Sequence, residues 1–175
     1  MGTRFVMFVK EGKTPVGGIY GQFDGYPEGY PKDLLSYVAR KKIVNGIQVG
    51  EFFNVINGAD DLVAHLITLG KIIHSNACLE IAKDPETKLK VDENDGTPIA
   101  AGTIYVYNTD PEEDEEELEW HDYVYVITVP EYLTGDYNTR PVVEGGSLKL
   151  KVYNFGRKIY EGNVRGFLKE IEEKE

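Results

Sequence analysis

Leu148-Lys149-Leu150-Lys151-Val152-Tyr153-Asn154-Phe155-Gly156-Arg157-Lys158-Ile159-Tyr160-Glu161-Gly162-Asn163-Val164 is the stretch that decides the fold class. Apolar and polar residues alternate from Leu148 to Tyr153, the two-residue period of a half-buried strand. Asn154 to Arg157 reads as a four-residue hairpin turn, and a strand resumes at Lys158 to Tyr160. Asn163 then stands where a helix N-cap belongs, with Val164, Phe167, Leu168 and Ile171 on one side of the helix it opens. A hairpin followed directly by a helix predicts an α+β protein with a largely antiparallel sheet.

The opening of the chain repeats that order. Arg4 to Val9 is a short apolar run, Gly12, Pro15, Gly17 and Gly18 follow, and Ile19 to Phe23 alternates again. Pro31 is placed to begin a helix carrying Leu34, Leu35 and Val38 inward and ending in Arg40-Lys41-Lys42, cations suited to a helix C-terminus. A second helix follows Asn57-Gly58-Ala59-Asp60, with Leu62, Val63, Leu66, Ile67, Leu69, Gly70 and Ile73 on one arc. Phe52, Phe53, Val55 and Ile56 before it fit either a short helix or an extended segment. After Lys88 the period turns toward two: Leu89 and Val91, Thr103 to Tyr107, and Tyr123 to Val129 read as antiparallel strands. About three helices are expected in all.

The chain has 175 residues, enough for one domain over 1–175 with a substantial core. It carries 19 Lys and Arg against 30 Asp and Glu, a formal charge of -11, which excludes a broad grip on duplex nucleic acid. Asp110, Glu112, Glu113, Asp114, Glu115, Glu116, Glu117 and Glu119 supply much of that excess. The remainder has 22 acids against 19 cations, a balance of -3. Self-repulsion in 110–119 predicts a solvated loop between two strands. Cys78 is the single cysteine, so neither an intramolecular disulfide nor a cysteine zinc site forms, and a reducing cytoplasm is the expected location. No apolar run approaches the roughly 18 residues that span a bilayer, and no charged-then-apolar leader opens the chain.

Phe23-Asp24-Gly25-Tyr26-Pro27-Glu28-Gly29 lies between a strand and a helix N-terminus, a common place for ligands in mixed α and β folds. With the opening hairpin it resembles a group of small, uncharacterised bacterial and phage-borne proteins that carry an aromatic-D-G-Y-P-x-G segment. The resemblance covers the first 40 or so residues of the chain and implies no activity, cofactor or catalytic residue. Phage kinship would make sequestration of a ligand such as a nucleotide, or interference with host defence, a natural role in the host cytoplasm.

The chemistry of the loop argues against a phosphate cradle, because Pro31 lacks an N–H and Asp24, Glu28 and Asp33 repel anions. Asp24 and Glu28 are better suited to accept hydrogen bonds from hydroxyls, a base edge or an amine, while Tyr26 and Tyr30 offer stacking faces. The same Asp24-Gly25 pair is equally the signature of a plain Asx turn.

Tyrosine, present 12 times, alternates with aliphatics in Ile104-Tyr105-Val106-Tyr107 and Tyr123-Val124-Tyr125-Val126. Strand alternation places Tyr105, Tyr107, Tyr123 and Tyr125 on one face, with Lys149, Lys151 and Tyr153 opposite the leucines of their own strand. If those faces coincide, the surface stacks a nucleobase and neutralises a phosphate, or joins two copies of the chain. Tyrosine also favours strands with no ligand involved.

Catalytic patterns are scarce. His65 and His74 fall on opposite sides of the second helix and cannot share a metal. His121-Asp122 would project to opposite faces of an extended chain. Ser147 lacks a nucleophile elbow, and no H-E-x-x-H, Walker A or EF-hand pattern occurs. The leading expectation is therefore a non-enzymatic, cofactor-free binding protein for a small polar aromatic ligand, possible as a homo-oligomer. The alternatives are a small hydrolase or phosphodiesterase-like enzyme using Tyr, His and Asp, and an acidic inhibitor that mimics nucleic acid.

Overall fold

The computed structural model describes residues 2–47, 55–73, 93–94, 103–131 and 142–174. His74, Cys78, Phe52, Phe53, Leu89 and Val91 lie outside them. The opening hairpin is β1 (Phe5–Glu11) with β2 (Thr14–Gly21), and α1 (Tyr30–Ala39) follows. Next come β3 (Lys42–Val44), β4 (Val55–Asn57), α2 (Gly58–Ile73), β5 (Ile104–Tyr107), a 3₁₀ turn at Pro111–Glu113, α3 (Glu115–Trp120) and β6 (Tyr123–Val129). β7 (Val142–Glu144), a 3₁₀ turn at Gly145–Ser147, β8 (Lys149–Asn154), β9 (Arg157–Asn163) and α4 (Val164–Lys174) complete the order.

The protein is α+β. Six strands form one sheet in the order β5-β2-β1-β6-β8-β9, and β4-β3-β7 form a smaller one. Every pair in the large sheet is antiparallel except β1 with β6, which runs parallel with Phe5 opposite Tyr123 and Glu11 opposite Val129. The sheet is thus largely antiparallel, as expected, with one parallel pair at its centre. Parallel neighbours need a crossover, and the segment between β1 and β6, which includes α1 and α2, supplies it.

α1, α2 and α4 cover one face of the sheet. Phe5, Met7 and Val9 of β1, Tyr125, Ile127 and Val129 of β6, and Leu150 and Val152 of β8 enter this core with Leu34, Leu35 and Val38 of α1, Leu62 and Leu66 of α2, and Phe167 and Ile171 of α4. The opposite face, bearing Val6, Phe8, Val124 and Val126, packs beneath Leu118 of α3. β1 is thus buried on both sides, which explains why Arg4 to Val9 reads as an unbroken apolar run.

Local signals set the ends of these elements. Phe155 and Gly156 take positive φ at 47° and 83°, the two-residue turn that suits the twist of a hairpin. The Asn163 side chain accepts the Gly166 N–H at 2.7 Å, capping α4. Gly145 approaches α1 so closely that a Cβ would sit 1.8 Å from the Val38 carbonyl oxygen, and its N–H donates to Lys41 O at 2.8 Å. No other residue type fits there.

Candidate functional site

The acidic stretch is not a solvated loop. Asp110 accepts the Glu112 N–H and Asp114 accepts the Glu116 N–H, starting the 3₁₀ turn and α3 respectively. Asp110 is only 7% exposed. Its Oδ2 lies 3.0 Å from the Lys10 ammonium, which also meets Glu112 Oε1 at 2.8 Å. Glu112 Oε2 in turn accepts from Tyr153 O–H at 2.6 Å and Lys151 at 3.3 Å. Further along, Tyr107 O–H donates to Glu117, and the His121 ring donates from Nδ1 to the Glu117 carbonyl at 2.8 Å. Repulsion within the stretch is overcome because three acids turn inward onto two lysines and two tyrosines, while Leu118 packs on the apolar centre of the sheet. Glu113, Asp114, Glu115, Glu116 and Glu119 face water. The segment is a strap folded across the open face.

Its charge network sets a pH window. Burial alone would raise the Glu112 carboxyl, but the bonds from Lys10 and Tyr153 and the Lys151 charge outweigh it and hold the group below its usual 4.5. Burial would lower Lys10, but Glu112 and Asp110 hold it above 10.5. Burial and the bonds to Glu117 and Glu112 push Tyr107 and Tyr153 above 10.0. The folded state therefore binds fewer protons at Glu112 than the unfolded chain, so this stabilisation is present above pH 4.5 and is lost as pH falls through the folded value. At Lys10, Tyr107 and Tyr153 it binds more, so their stabilisation is lost as pH rises past about 10. Thermal melts across pH should show a plateau bounded on both sides, and Glu112→Gln should flatten the acid edge.

The tyrosine platform divides. Tyr105 and Tyr107 lie on the strap side with Tyr20, whereas Tyr123 and Tyr125 point beneath the helices. Each strand alternates as expected, but β5 and β6 alternate in opposite phase. Tyr125 is fully buried, sandwiched between Phe5 and Phe167 at 6.4 and 6.2 Å, and its O–H donates to the Gly25 carbonyl at 2.8 Å. No ligand reaches its ring. Lys149 and Lys151 do share the strap side with Tyr105 and Tyr107. Four strand steps separate them, about 19 Å, with the strap between. The two lysines instead line a groove of about 640 Å³ with Thr128, Glu161 and Asn163.

The Asp24 to Tyr30 loop is held by its backbone. Asp24 has φ 52°, its carbonyl accepts the Tyr30 N–H at 3.0 Å, and Gly29 N–H donates to Tyr26 O at 2.8 Å. Asp24, Tyr26 and Glu28 face solvent, while Tyr30 is half-buried against the helix-side core. Glu28 lies close enough to Tyr123 to help burial raise its phenol. The loop and Tyr123 are thus neighbours, apart from Tyr105 and Tyr107.

A different group converges where β1 and β6 begin and β2 ends. Arg4, Tyr20, Gln22, Phe23 and Asp122, with Gly2 and Thr3, line a groove of about 470 Å³ on the strap side of the sheet. Asp122 Oδ2 accepts the Arg4 N–H at 3.1 Å, and its Oδ1 lies 3.6 Å from the Arg4 guanidinium. That guanidinium stacks 5.5 Å from the Trp120 ring, which is 68% exposed. Tyr20 packs on Tyr105 at 4.8 Å and meets the His121 ring edge-on at 5.6 Å. The groove offers a fork of donors, one carboxylate, one amide and several ring faces. Residues named from the sequence as ligand-binding do not line it, although Tyr105 buttresses Tyr20. The available signal was Trp120 beside His121-Asp122, but the partner from the first strand becomes visible only once β6 pairs with β1. Among the described residues no three His, Cys, Asp or Glu side chains converge on a metal site, and no helix is long and apolar enough to cross a membrane. Compared with known proteins, the chain matches no family model, no curated protein and no solved structure.

Proposed function

We propose that the protein binds a small planar polar ligand of the nucleobase or nucleotide class in the groove formed by Arg4, Tyr20, Gln22, Phe23 and Asp122, without transforming it. The observation that carries this reading is the Arg4 guanidinium, held at its base by Asp122 and stacked on the exposed ring of Trp120, with the exposed Phe23 lining the same groove. Ring faces stack any base, Arg4 and Gln22 supply donors to carbonyl or phosphate oxygens, and Asp122 accepts from an exocyclic amine. One guanidinium in a chain of net charge -11 favours a nucleoside or monophosphate over a polyphosphate.

Native mass spectrometry of the protein with an equimolar set of nucleosides and nucleoside monophosphates tests the reading. One ligand per chain, weakened about tenfold by Arg4→Ala, is the expected result. A spectrum of bare chain at millimolar ligand would reject it.

A further inference from the structure

A second group, remote from the groove, joins α1 to α2. Tyr37 O–H lies 3.0 Å from His65 Nδ1, and His65 Nε2 lies 3.2 Å from Asp61 Oδ2. A carboxylate can only accept, so Nε2 carries the hydrogen, and when the ring is neutral Nδ1 is the acceptor aimed at the phenol. Asp61 is itself fixed, since the Asn57 N–H donates to the same oxygen at 2.8 Å. Spacing of four residues puts Asp61 and His65 on one helix face, and the packing of α1 brings Tyr37 to them.

The order of groups is orienting carboxylate, imidazole base, hydroxyl, which is the general arrangement of an activated nucleophile. Tyr37, Asp61 and His65 also line an open depression of about 310 Å³ with Ala64 and Thr68, so the phenol meets space a ligand can enter. The Lys41 ammonium stands 5.1 Å from the Tyr37 ring, a positive charge that favours negative charge developing on the phenol. A relay serving only to join two helices would not need the open depression beside it.

We propose that Tyr37 is a nucleophile activated by His65, with Asp61 as the positioning residue, and that it accepts an acyl group from an activated ester. The phenol oxygen attacks the carbonyl carbon while its proton passes to His65 Nδ1. Collapse of the tetrahedral adduct breaks the carbon–oxygen bond to the leaving alcohol, which takes that proton. Tyr37 is left as an aryl ester, and no external oxidant or reductant is required.

The probe is p-nitrophenyl acetate, with acetylated tyrosines located and timed by peptide mass spectrometry. Tyr26 and Tyr105, exposed and outside any such relay, are internal references. Tyr37 should acetylate on the order of 10²-fold faster than either, the contribution expected of a positioned general base. His65→Gln should bring it to the reference rate, and Asp61→Asn should slow it by a smaller factor, both in chains whose melts remain cooperative. A Tyr37 rate equal to that of Tyr26 in the unaltered protein overturns the proposal without reference to any variant. An undiminished rate in folded His65→Gln overturns it as well.

Discussion

Lys10→Met should lower the unfolding free energy by about 3 kcal/mol and release the acidic strap, because it leaves the buried Asp110 without its counter-charge and Glu112 with only the more exposed Lys151. Breaking one side of an enclosed ion cluster costs more than removing both sides, so adding Glu112→Gln to the variant should recover part of the loss. Urea unfolding measures it, and Trp120 at the end of α3 reports the strap directly. A change under 0.5 kcal/mol, roughly the scale of an ordinary surface substitution, would mean that Leu118 and the bonds from Tyr107, Tyr153 and Lys151 hold the strap without Lys10.

Tyr125→Ala should cost about 4 kcal/mol, the scale of truncating a fully buried aromatic. It also removes the hydroxyl that fixes the Gly25 carbonyl, so the Asp24 to Tyr30 loop should become the first site of limited proteolysis. Tyr125→Phe separates the two effects. It keeps the ring against Phe5 and Phe167, leaves one carbonyl without its partner, and should cost about 1 to 2 kcal/mol. Equal losses in both variants would show that the hydrogen bond, not the ring, carries the energy.

The fold was legible where a pattern is local. The Asn154 to Arg157 turn, the Asn163 cap and the apolar stripe of α4 each need only a few neighbouring residues, and each stands as expected. What sequence could not supply was the pairing of distant strands. Tyr105 and Tyr123 obey the same alternation, yet their strands sit on opposite sides of the β2-β1 hairpin and in opposite phase. A one-residue difference in phase turns a side chain to the other face. The acidic stretch shows the same gap differently. Its composition argues for solvent, and only the convergence of Lys10, Lys151, Tyr107 and Tyr153 from three strands, β1, β8 and β5, reverses that argument. Arg4 and Asp122, which hold the groove together, lie 118 positions apart in sequence.

Trp120 is the chain's single tryptophan and packs on the Arg4 guanidinium that lines the groove, so its fluorescence reads the proposed site without a label. Titration with adenosine, guanosine, cytidine and uridine and their monophosphates should give saturable quenching for at least one of them, weakened about tenfold in Arg4→Ala and unchanged in Lys149→Ala on the distant groove. Quenching that rises linearly without saturation for every compound, or saturable quenching indifferent to Arg4, would contradict a binding site there.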